Sequence, residues 1–322
     1  MADLQNQKQK DSLIIAAIKV ARPIHWIKNL AIFAAVFLSG IMFDDNYLLI
    51  TIKAFIAFCL ASSATYIFND LLDAKNDRIH PTKRFRPIAS GALPIPFAIL
   101  EALLLAAISL IISRGINSLF FILIFSYITL QFLYSVKLKN IAIVDIIVIA
   151  TGFVMRVYAG AFVVNAHLSV WFLLCVISVA LFLASGKRRA EMNLIGNDKT
   201  LTRKSLGDYK KELLNSYVTM FANASWMSWA LFTFFESPKA SLPFWLVLAE
   251  LSRATTIDKL LMLTIPVTIF GLMRYESLIF ENRSETPEKL LLTDKSLIVA
   301  VALWVVIVYW VLYSGITVFG TS

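Results

Sequence analysis

Three aspartates and an asparagine lie close together between residues 69 and 77: Asn69, Asp70, Asp73 and Asp77. If they extend a helix, spacings of three, four, seven and eight positions place all four side chains on one face. Carboxylates crowded in this way repel one another unless a cation lies between them. Mg²⁺ prefers oxygen ligands and usually completes its coordination with substrate phosphates. The stretch therefore predicts a magnesium site for a phosphorylated substrate, with a solvated acidic helix end as the alternative.

A basic segment follows the aspartates directly. It contains Lys83, Arg84 and Arg86, and Pro81 and Pro87 prevent it from continuing the preceding helix. Its side chains can therefore fold back over the acidic cluster. Arginine binds phosphate in a bidentate manner and lysine binds it as a point charge. We expect these three side chains to contact substrate phosphate, although a basic loop facing the cytoplasm would carry the same charge.

Two ionisable residues, Asp145 and Arg156, fall within one apolar stretch. They are eleven positions apart, which returns them to the same side of a helix. Ionisable residues inside a membrane usually face the protein interior and have partners. The two residues could form a structural ion pair with each other or could contact the substrate, and the sequence favours neither role.

The elements that must position these residues are membrane helices. Of the 322 residues, 59% are hydrophobic and 16% are charged, whereas soluble domains carry about 25% charged residues. Runs of about 20 apolar residues indicate spanning helices, whose backbone hydrogen bonds are satisfied internally. The sequence predicts an all-α, polytopic integral membrane protein with a single domain over residues 1–322. The nine predicted spans are Ile27–Phe43, Leu48–Phe68, Pro96–Ser113, Ser118–Tyr134, Ile141–Val164, Ser169–Gly186, Leu214–Phe235, Lys259–Phe280 and Ser296–Val318.

The distribution of basic residues predicts the orientation. Most of the 30 lysines and arginines lie before the first span or in the connections after the second, fourth, sixth and eighth spans. Because basic loops face the cytoplasm, we expect a cytoplasmic N-terminus and an external C-terminus in the inner (plasma) membrane. The net charge of +9 then reflects topology and not nucleic-acid binding. Cys59 and Cys175 fall inside spans and are expected to be packed thiols.

The acidic stretch and its basic continuation resemble the first aspartate-rich motif of the UbiA superfamily of intramembrane prenyltransferases. The matching pattern is Asn69-Asp70-x-x-Asp73-x-x-x-Asp77, then Lys83-Arg84-Phe85-Arg86-Pro87 and Gly91. The resemblance implies a nine-helix bundle with a cytoplasmic active-site mouth. Ordinary members carry a second motif, usually Asp-x-x-x-Asp, after the sixth span. That place holds three cations and one acid here: Lys187, Arg188, Arg189 and Glu191.

Several shorter motifs are similar to one branch of this superfamily, the decaprenyl-phosphate phosphoribosyltransferases. They are Arg22-Pro23-x-His25-Trp26-x-Lys28-Asn29, His80-Pro81-Thr82-Lys83-Arg84, Gly186-Lys187-Arg188-x-x-Glu191 and Thr286-Pro287-Glu288-Lys289-Leu290-Leu291-Leu292-x-Asp294. Tyr134-x-x-Lys137 also resembles the Tyr-x-x-x-Lys pattern found near the family's site, with a shorter spacing. The branch transfers phosphoribose from phosphoribosyl pyrophosphate (PRPP) to a polyprenyl phosphate and releases pyrophosphate.

The basic character of the second polar segment supports this branch on physical grounds. PRPP carries a pyrophosphate and a separate phosphate, and the lipid acceptor adds a third group, so the site needs more cations than a prenyl donor does. The acceptor phosphate is already ionised near neutral pH, with a second pKa of about 6, so no strong general base is required. A conventional UbiA-type prenyltransferase is the first alternative. A transporter is the second, although the charges cluster at one surface and do not follow a path through the membrane.

The expected partners are PRPP, a polyprenyl phosphate lipid and the membrane, with Mg²⁺ as the cofactor and no nucleic acid. Asp70, Asp73 and Asp77 are expected to be catalytic and, together with Asn69, to bind the metal. The expected substrate-binding side chains are Lys28, Asn69, Lys83, Arg84, Arg86, Tyr134, Lys137, Arg156, Lys187, Arg188 and Glu191.

Overall fold

The computed structural model describes residues 13–80, 82–193, 204–236, 257–281 and 293–313, and all regular structure in these ranges is helical. Four short 3₁₀ segments lie among the α-helices, at Pro23–Ile32, Lys83–Phe85, Leu138–Asn140 and Ile257–Thr264. The α-helices are α1 (13–20), α2 (Phe33–Leu38), α3 (Asp45–Ile79), α4 (Ile95–Ile116), α5 (Ser118–Val136), α6 (Val144–Val164), α7 (Val170–Asn193), α8 (Lys204–Gly207), α9 (Lys211–Phe235), α10 (Ile265–Phe280) and α11 (Lys295–Tyr313).

Seven helical segments in the described ranges are long and apolar enough to cross a membrane. They are α3, α4, α5, α6, α7, α11 and the segment Lys259–Phe280, which ends with α10. The prediction of an all-α protein with multiple membrane-spanning helices is therefore confirmed. The count of nine spans stays a prediction, because α9 covers the seventh span without reaching the same apolarity and residues 314–318 of the ninth lie outside the described ranges. The motif segment from Thr286 to Leu292 also lies outside them.

The first predicted span, Ile27–Phe43, is helical as far as Leu38 but is not one regular α-helix. The chain runs instead as the 3₁₀ segment Pro23–Ile32 followed by the short α2. This segment packs closely against α6 at Gly160, where an added Cβ would lie 1.9 Å from the carbonyl oxygen of Ile32. Only glycine permits such an approach, so the contact places the 3₁₀ segment against the centre of the bundle.

The second predicted span continues well past Phe68, because α3 runs to Ile79 and carries the aspartates on its last turns. Asp44 caps its first turn by accepting hydrogen bonds from the backbone N–H groups of Asn46 and Tyr47. His80 at its other end is extended and precedes a proline, which disfavours continued helix. The acidic cluster is therefore an ordered helical face and not a loop.

Helix α6 is the central element that positions the site. It packs against α2, α3, α5, α7 and the 3₁₀ segment before α2. Phe58, Ile124, Tyr127 and Ala159 belong to the buried apolar cluster between α3, α5 and α6. A second cluster, which includes Trp229 and Val308, joins α7, α9 and α11. Polar residues that point inward from α6 consequently face groups from several other helices.

Candidate functional site

The aspartates on the last turns of α3 are neutralised by cations from other segments. Arg22, just before the 3₁₀ segment, donates from Nη2 to both carboxylate oxygens of Asp70, at 2.5 and 2.7 Å. Arg86 donates from Nη1 to Asp70 at 3.1 Å and to Asp77 at 2.7 Å. Asp70 and Asp77 are buried, while both arginines are partly exposed. The two carboxylates therefore share one guanidinium that solvent can reach.

Asp73 has a separate partner, Lys139, which is not among the predicted site residues. Lys139 lies 2.6 Å from its Oδ1 and donates to Oδ1 of Asn69 at 3.3 Å, and Asn69 donates to Oδ2 of Asp73 at 3.1 Å. The predicted residue, Lys137, is exposed at the end of α5. The 3₁₀ turn Leu138–Asn140 reverses the chain there and directs Lys139, and not Lys137, toward α3. The sequence gives no signal for this choice, because both lysines flank the same leucine.

The basic segment after α3 contributes chiefly through Arg86. Arg84 is exposed and lies against the ring of Phe85, with its Cζ 4.8 Å from the ring centroid. Lys83 follows His80, whose Nδ1 accepts from the backbone N–H of Lys83 at 3.3 Å. The segment therefore folds back toward the aspartates as expected, and Arg86 is in contact with two of them.

Several cations from different parts of the chain lie around His25. Burial and the positive charges of Lys28, Arg22, Lys187 and Arg86 lower the pKa of His25 from 6.5 to about 3. Its imidazole is therefore neutral at physiological pH. The four cations come from three different parts of the chain, so Lys28 and Lys187 belong to the same basic surroundings as the aspartate partners.

We call the set Asn69, Asp70, Asp73, Asp77, Arg22, Arg86 and Lys139 the aspartate site. Its three carboxylates and one amide oxygen are the donor types that fit Mg²⁺, since a hard cation takes oxygen ligands. No group of three His, Cys, Asp or Glu side chains in the described ranges is arranged to hold a metal ion. Each carboxylate instead holds a protein cation, in agreement with the mutual repulsion that the sequence predicts.

A second ionic cluster surrounds Arg188 on α7, and we call it the Arg188 network. Nε of Arg188 lies 2.5 Å from Oδ2 of Asp145, and Nη1 lies 2.5 Å from Oε2 of Glu191. Nη2 donates to the hydroxyl of Tyr134 at 2.8 Å. Tyr209 donates to the other oxygen of Asp145 at 2.7 Å, and its pKa is raised by burial and by this hydrogen bond. Three predicted substrate-binding residues therefore contact one another.

Arg156 does not pair with Asp145, so an ion pair between these two residues is excluded. Asp145 is held by Arg188 and Tyr209, one at α7 and one after α8. Arg156 lies deeper in α6, where its Nε donates to Oδ1 of Asn29 at 2.7 Å. Eleven helical positions put the two residues on one face but about 16 Å apart along the axis, which is too far for a contact.

Comparison with known proteins places the chain in a family. The model of the UbiA prenyltransferase family matches residues 29–258. The chain is 36% identical over 298 residues to the decaprenyl-phosphate phosphoribosyltransferase of Mycolicibacterium smegmatis, covering 91% of each chain. It is 34% identical over 319 residues to the decaprenyl-phosphate phosphoribosyltransferase of Corynebacterium glutamicum, covering 97% of this chain and 91% of the relative.

A solved structure shares the fold. A UbiA homologue from Archaeoglobus fulgidus bound to GPP and Mg²⁺ superposes with a TM-score of 0.67 at 18% sequence identity, over 92% of this chain and 99% of that one. The family match covers most of the chain and includes α3 with its aspartates. On the sequence and on the fold, this chain belongs to the UbiA prenyltransferase family.

Proposed function

We propose that this protein transfers a 5-phosphoribosyl group from PRPP to a polyprenyl phosphate and releases pyrophosphate, in a Mg²⁺-dependent reaction. The observation that carries the proposal is the aspartate site, where three carboxylates on one helix hold cations from three other segments. The relatives named as decaprenyl-phosphate phosphoribosyltransferases extend over nine-tenths of this chain and support the same reaction.

Asp70, Asp73 and Asp77, with Asn69, are the groups that would hold Mg²⁺. Bound Mg²⁺ supplies charge neutralisation for the departing pyrophosphate. With these carboxylates holding Mg²⁺, Arg22, Arg86 and Lys139 would be available to bind phosphate oxygens. The archaeal UbiA homologue of similar fold binds Mg²⁺, which supports this choice of ion.

The reaction breaks the bond between the anomeric carbon and pyrophosphate and forms one between that carbon and an oxygen of the lipid phosphate. Preorganised cations act where negative charge develops, on the leaving group. The acceptor is ionised near neutral pH, with a second pKa of about 6, and requires no base. The neutral His25 can therefore serve as a hydrogen-bonding group without exchanging a proton.

The Arg188 network favours this reaction over conventional prenyl transfer. In the family's usual pattern, the end of the sixth span supplies a second pair of acids. Here the acid of that segment, Glu191, is held by Arg188, while Lys187 lies near His25 and its basic neighbours. Because a phosphorylated sugar brings one phosphate more than a prenyl donor does, added positive charge fits PRPP better than a prenyl pyrophosphate.

The topology is part of the proposal. Nine spans with the N-terminus in the cytoplasm and the C-terminus outside would place the last turns of α3 at the cytoplasmic side of the inner membrane. Water-soluble PRPP reaches this side, and the polyprenyl chain of the acceptor can stay in the bilayer. Accessibility of single cysteines introduced at Lys75 and at Asp45, at opposite ends of α3, would test this orientation.

The decisive experiment uses purified protein with PRPP labelled in the ribose and a polyprenyl phosphate in mixed micelles. We expect label to enter the lipid fraction only when Mg²⁺ is present. A parallel reaction contains a polyprenyl pyrophosphate and an aromatic acceptor. Transfer in that reaction alone would replace the proposal with conventional prenyl transfer. In a separate experiment with proteoliposomes, uptake of unmodified PRPP would indicate a transporter.

A further inference from the structure

The connection between α5 and α6, residues 138–143, carries Lys139 to the aspartate site, and we call it the Lys139 turn. It begins with the 3₁₀ segment Leu138–Asn140 and ends directly before Val144, the first residue of α6. The side chain of Lys139 donates to Asp73 on α3. The backbone of the same turn is bound by two hydroxyl groups that come after α7 in the chain.

Ser205, on the short α8, binds the first part of the Lys139 turn. Its Oγ donates to the backbone carbonyl oxygen of Lys139 at 2.9 Å. Oδ2 of Asp145 lies 3.4 Å from the same Oγ, so the single hydroxyl hydrogen goes to the nearer carbonyl. Ser205 is fully buried, and a buried polar group that loses its partner is costly. The hydrogen bond therefore fixes the main chain of the lysine whose side chain reaches Asp73.

Tyr209, two residues after α8, binds the end of the Lys139 turn. Its hydroxyl donates to Oδ1 of Asp145 at 2.7 Å and accepts from the backbone N–H of Ile143. Tyr209 is buried, and Asp145, in the first turn of α6, is fully buried. The carboxylate of Asp145 therefore orients the hydroxyl, and the hydroxyl in turn holds the backbone at the beginning of α6.

The backbone of Ile143 has a conformation that requires such support. Its φ is +69° and its ψ is −48°, although the side chain is branched at Cβ. A β-branched residue in this region is strained, and the strain persists only where the surrounding structure imposes it. The side chain of Ile143 is 48% exposed, so packing restrains the residue only in part. The hydrogen bond to Tyr209 supplies a specific restraint at the strained backbone itself.

A displacement of the Lys139 turn would reach the proposed metal ligands. Lys139 is buried, and its Nζ lies 2.6 Å from Oδ1 of Asp73 and 3.3 Å from Oδ1 of Asn69. Charge-assisted hydrogen bonds of this length depend on the position of the donor. Groups that orient metal ligands affect metal affinity although they do not touch the metal. The backbone that carries Lys139 therefore influences how Asp73 and Asn69 are oriented.

We propose that Ser205 and Tyr209 are positioning residues for the aspartate site and act on it through the Lys139 turn. The inference rests on the proposed function, in which Asp73 and Asn69 hold Mg²⁺ on the departing pyrophosphate. The polar segment after α7 then contributes to the metal side of the site, in addition to the cations that it supplies for phosphate.

A double-mutant cycle tests whether Tyr209 acts through Lys139. Tyr209→Phe, Lys139→Ala and their combination are compared in two measurements. The first is the half-saturating concentration of Mg²⁺ in the presence of pyrophosphate, from the shift in melting temperature in detergent, and the second is kcat for phosphoribosyl transfer. We expect Tyr209→Phe to raise the half-saturating concentration and to lower kcat by about 5- to 10-fold. The combination should bind no more weakly than Lys139→Ala alone, because the lysine that transmits the effect is already absent.

Tyr217→Phe is the matched control, because Tyr217 is a partly buried tyrosine on α9 whose ring contacts Phe221 and not the Lys139 turn. It should bind Mg²⁺ and pyrophosphate as wild type does. Ser205→Ala keeps the test decisive if Tyr209→Phe does not fold. We expect the same loss from this variant, and again no further loss when it is combined with Lys139→Ala.

The positioning role is refuted if Tyr209→Phe and Ser205→Ala bind Mg²⁺ and pyrophosphate as tightly as wild type. It is also refuted if the losses multiply in the combinations with Lys139→Ala, because independent damage to the fold adds to the loss of the lysine. Failure of Mg²⁺ and pyrophosphate to stabilise the wild type would have the same consequence. Absence of phosphoribosyl transfer in a wild type that binds both would instead refute the proposed function.

Discussion

The aspartate site and the Arg188 network contain the same kinds of side chain but differ in exposure. Arg22 and Arg86 of the first are 20% and 27% exposed, whereas Arg188 and Asp145 of the second are both fully buried. A solvent-exposed ion pair contributes about 0–1 kcal/mol, and the partly exposed arginines of the aspartate site can exchange a carboxylate for a ligand at lower cost than a fully buried one can. A fully buried pair costs about 3–5 kcal/mol to break. Ion pairs of similar length can therefore serve binding in one region and fix helices in the other.

The comparison changes the role that we assign to Arg188. The sequence predicts that Arg188 binds substrate phosphate beside Lys187. With Asp145, Glu191 and Tyr134 already around its guanidinium, we propose that Arg188 instead positions α7 against α6. Lys187, its neighbour in the chain, lies near His25 and keeps its proposed role at the phosphates.

The largest effect is expected at the aspartate site. Asp73→Asn keeps the size of the side chain but removes a charge that would hold Mg²⁺, so turnover should fall roughly 100-fold or more. The melting temperature should stay within a few degrees, because the carboxylate is partly exposed. The measurement is initial rate against Mg²⁺ concentration.

Asp45→Asn is the matched control, because Asp45 is exposed in the first turn of the same helix. It should leave both the rate and the Mg²⁺ dependence unchanged. Wild-type turnover in thorough chelation, or an Asp73→Asn enzyme with most of its activity, would contradict the role assigned to the metal.

Substitutions in the Arg188 network should lower the stability of the protein. Arg188→Leu leaves Asp145 buried beside Tyr209 without its cation, which should cost about 3–5 kcal/mol of unfolding free energy. We expect a large drop in melting temperature in detergent. The double variant Asp145→Leu with Arg188→Leu removes both charges and should recover part of the loss. A single variant as stable as wild type would remove the distinction between the two regions.

Lys139 and Lys137 offer a sharper test within the aspartate site. Lys139→Ala removes the partner that orients Asp73 and Asn69, so activity should fall about 10- to 100-fold. Lys137→Ala changes an exposed lysine two positions away and should alter activity by less than about twofold. Steady-state kinetics of the two variants provide the measurement. An equal loss in both would mean that the turn after α5 contributes only general positive charge.

The smallest expected effect is a pH dependence of stability from His25. Its pKa is lowered from 6.5 to about 3 in the folded protein. Between these values the unfolded chain binds a proton that the folded protein does not, so unfolding free energy falls as the pH falls from 6.5 toward 3. His25→Gln should flatten the decline in melting temperature between pH 7 and pH 5. If the melting temperature of His25→Gln declined with pH as steeply as that of the wild type, His25 would not be surrounded by the four cations.

Much of the candidate site could be predicted from local sequence. The helical spacing of Asn69, Asp70, Asp73 and Asp77 requires only that α3 continue past Phe68, and it does. The basic segment beside them identified Arg86, because two prolines prevent a straight continuation. Arg22 was visible in the motif before the first span, although its pairing with Asp70 was not predicted.

The partners of the remaining charges could not be predicted in the same way. Lys139 reaches Asp73 because of one 3₁₀ turn, and Arg188 pairs with Asp145. Helical spacing placed Asp145 and Arg156 on one face, yet Asp145 pairs with Arg188 on α7, and Arg156 donates to Asn29 and Tyr127 from other segments. The spacing of residues along the sequence predicts on which face of its helix a residue lies. It does not predict which other element packs against that face.

The sequence by itself determined the membrane class, the all-helical fold and the family, because apolar run length and a short acidic motif are local properties. Only the tertiary structure decided which cations neutralise the aspartates, which arginine is buried between two acids, and which is left among neutral groups. The physical reason is the range of the interaction: an ion pair requires atoms within about 4 Å, and helix packing brings residues up to 276 positions apart within that distance.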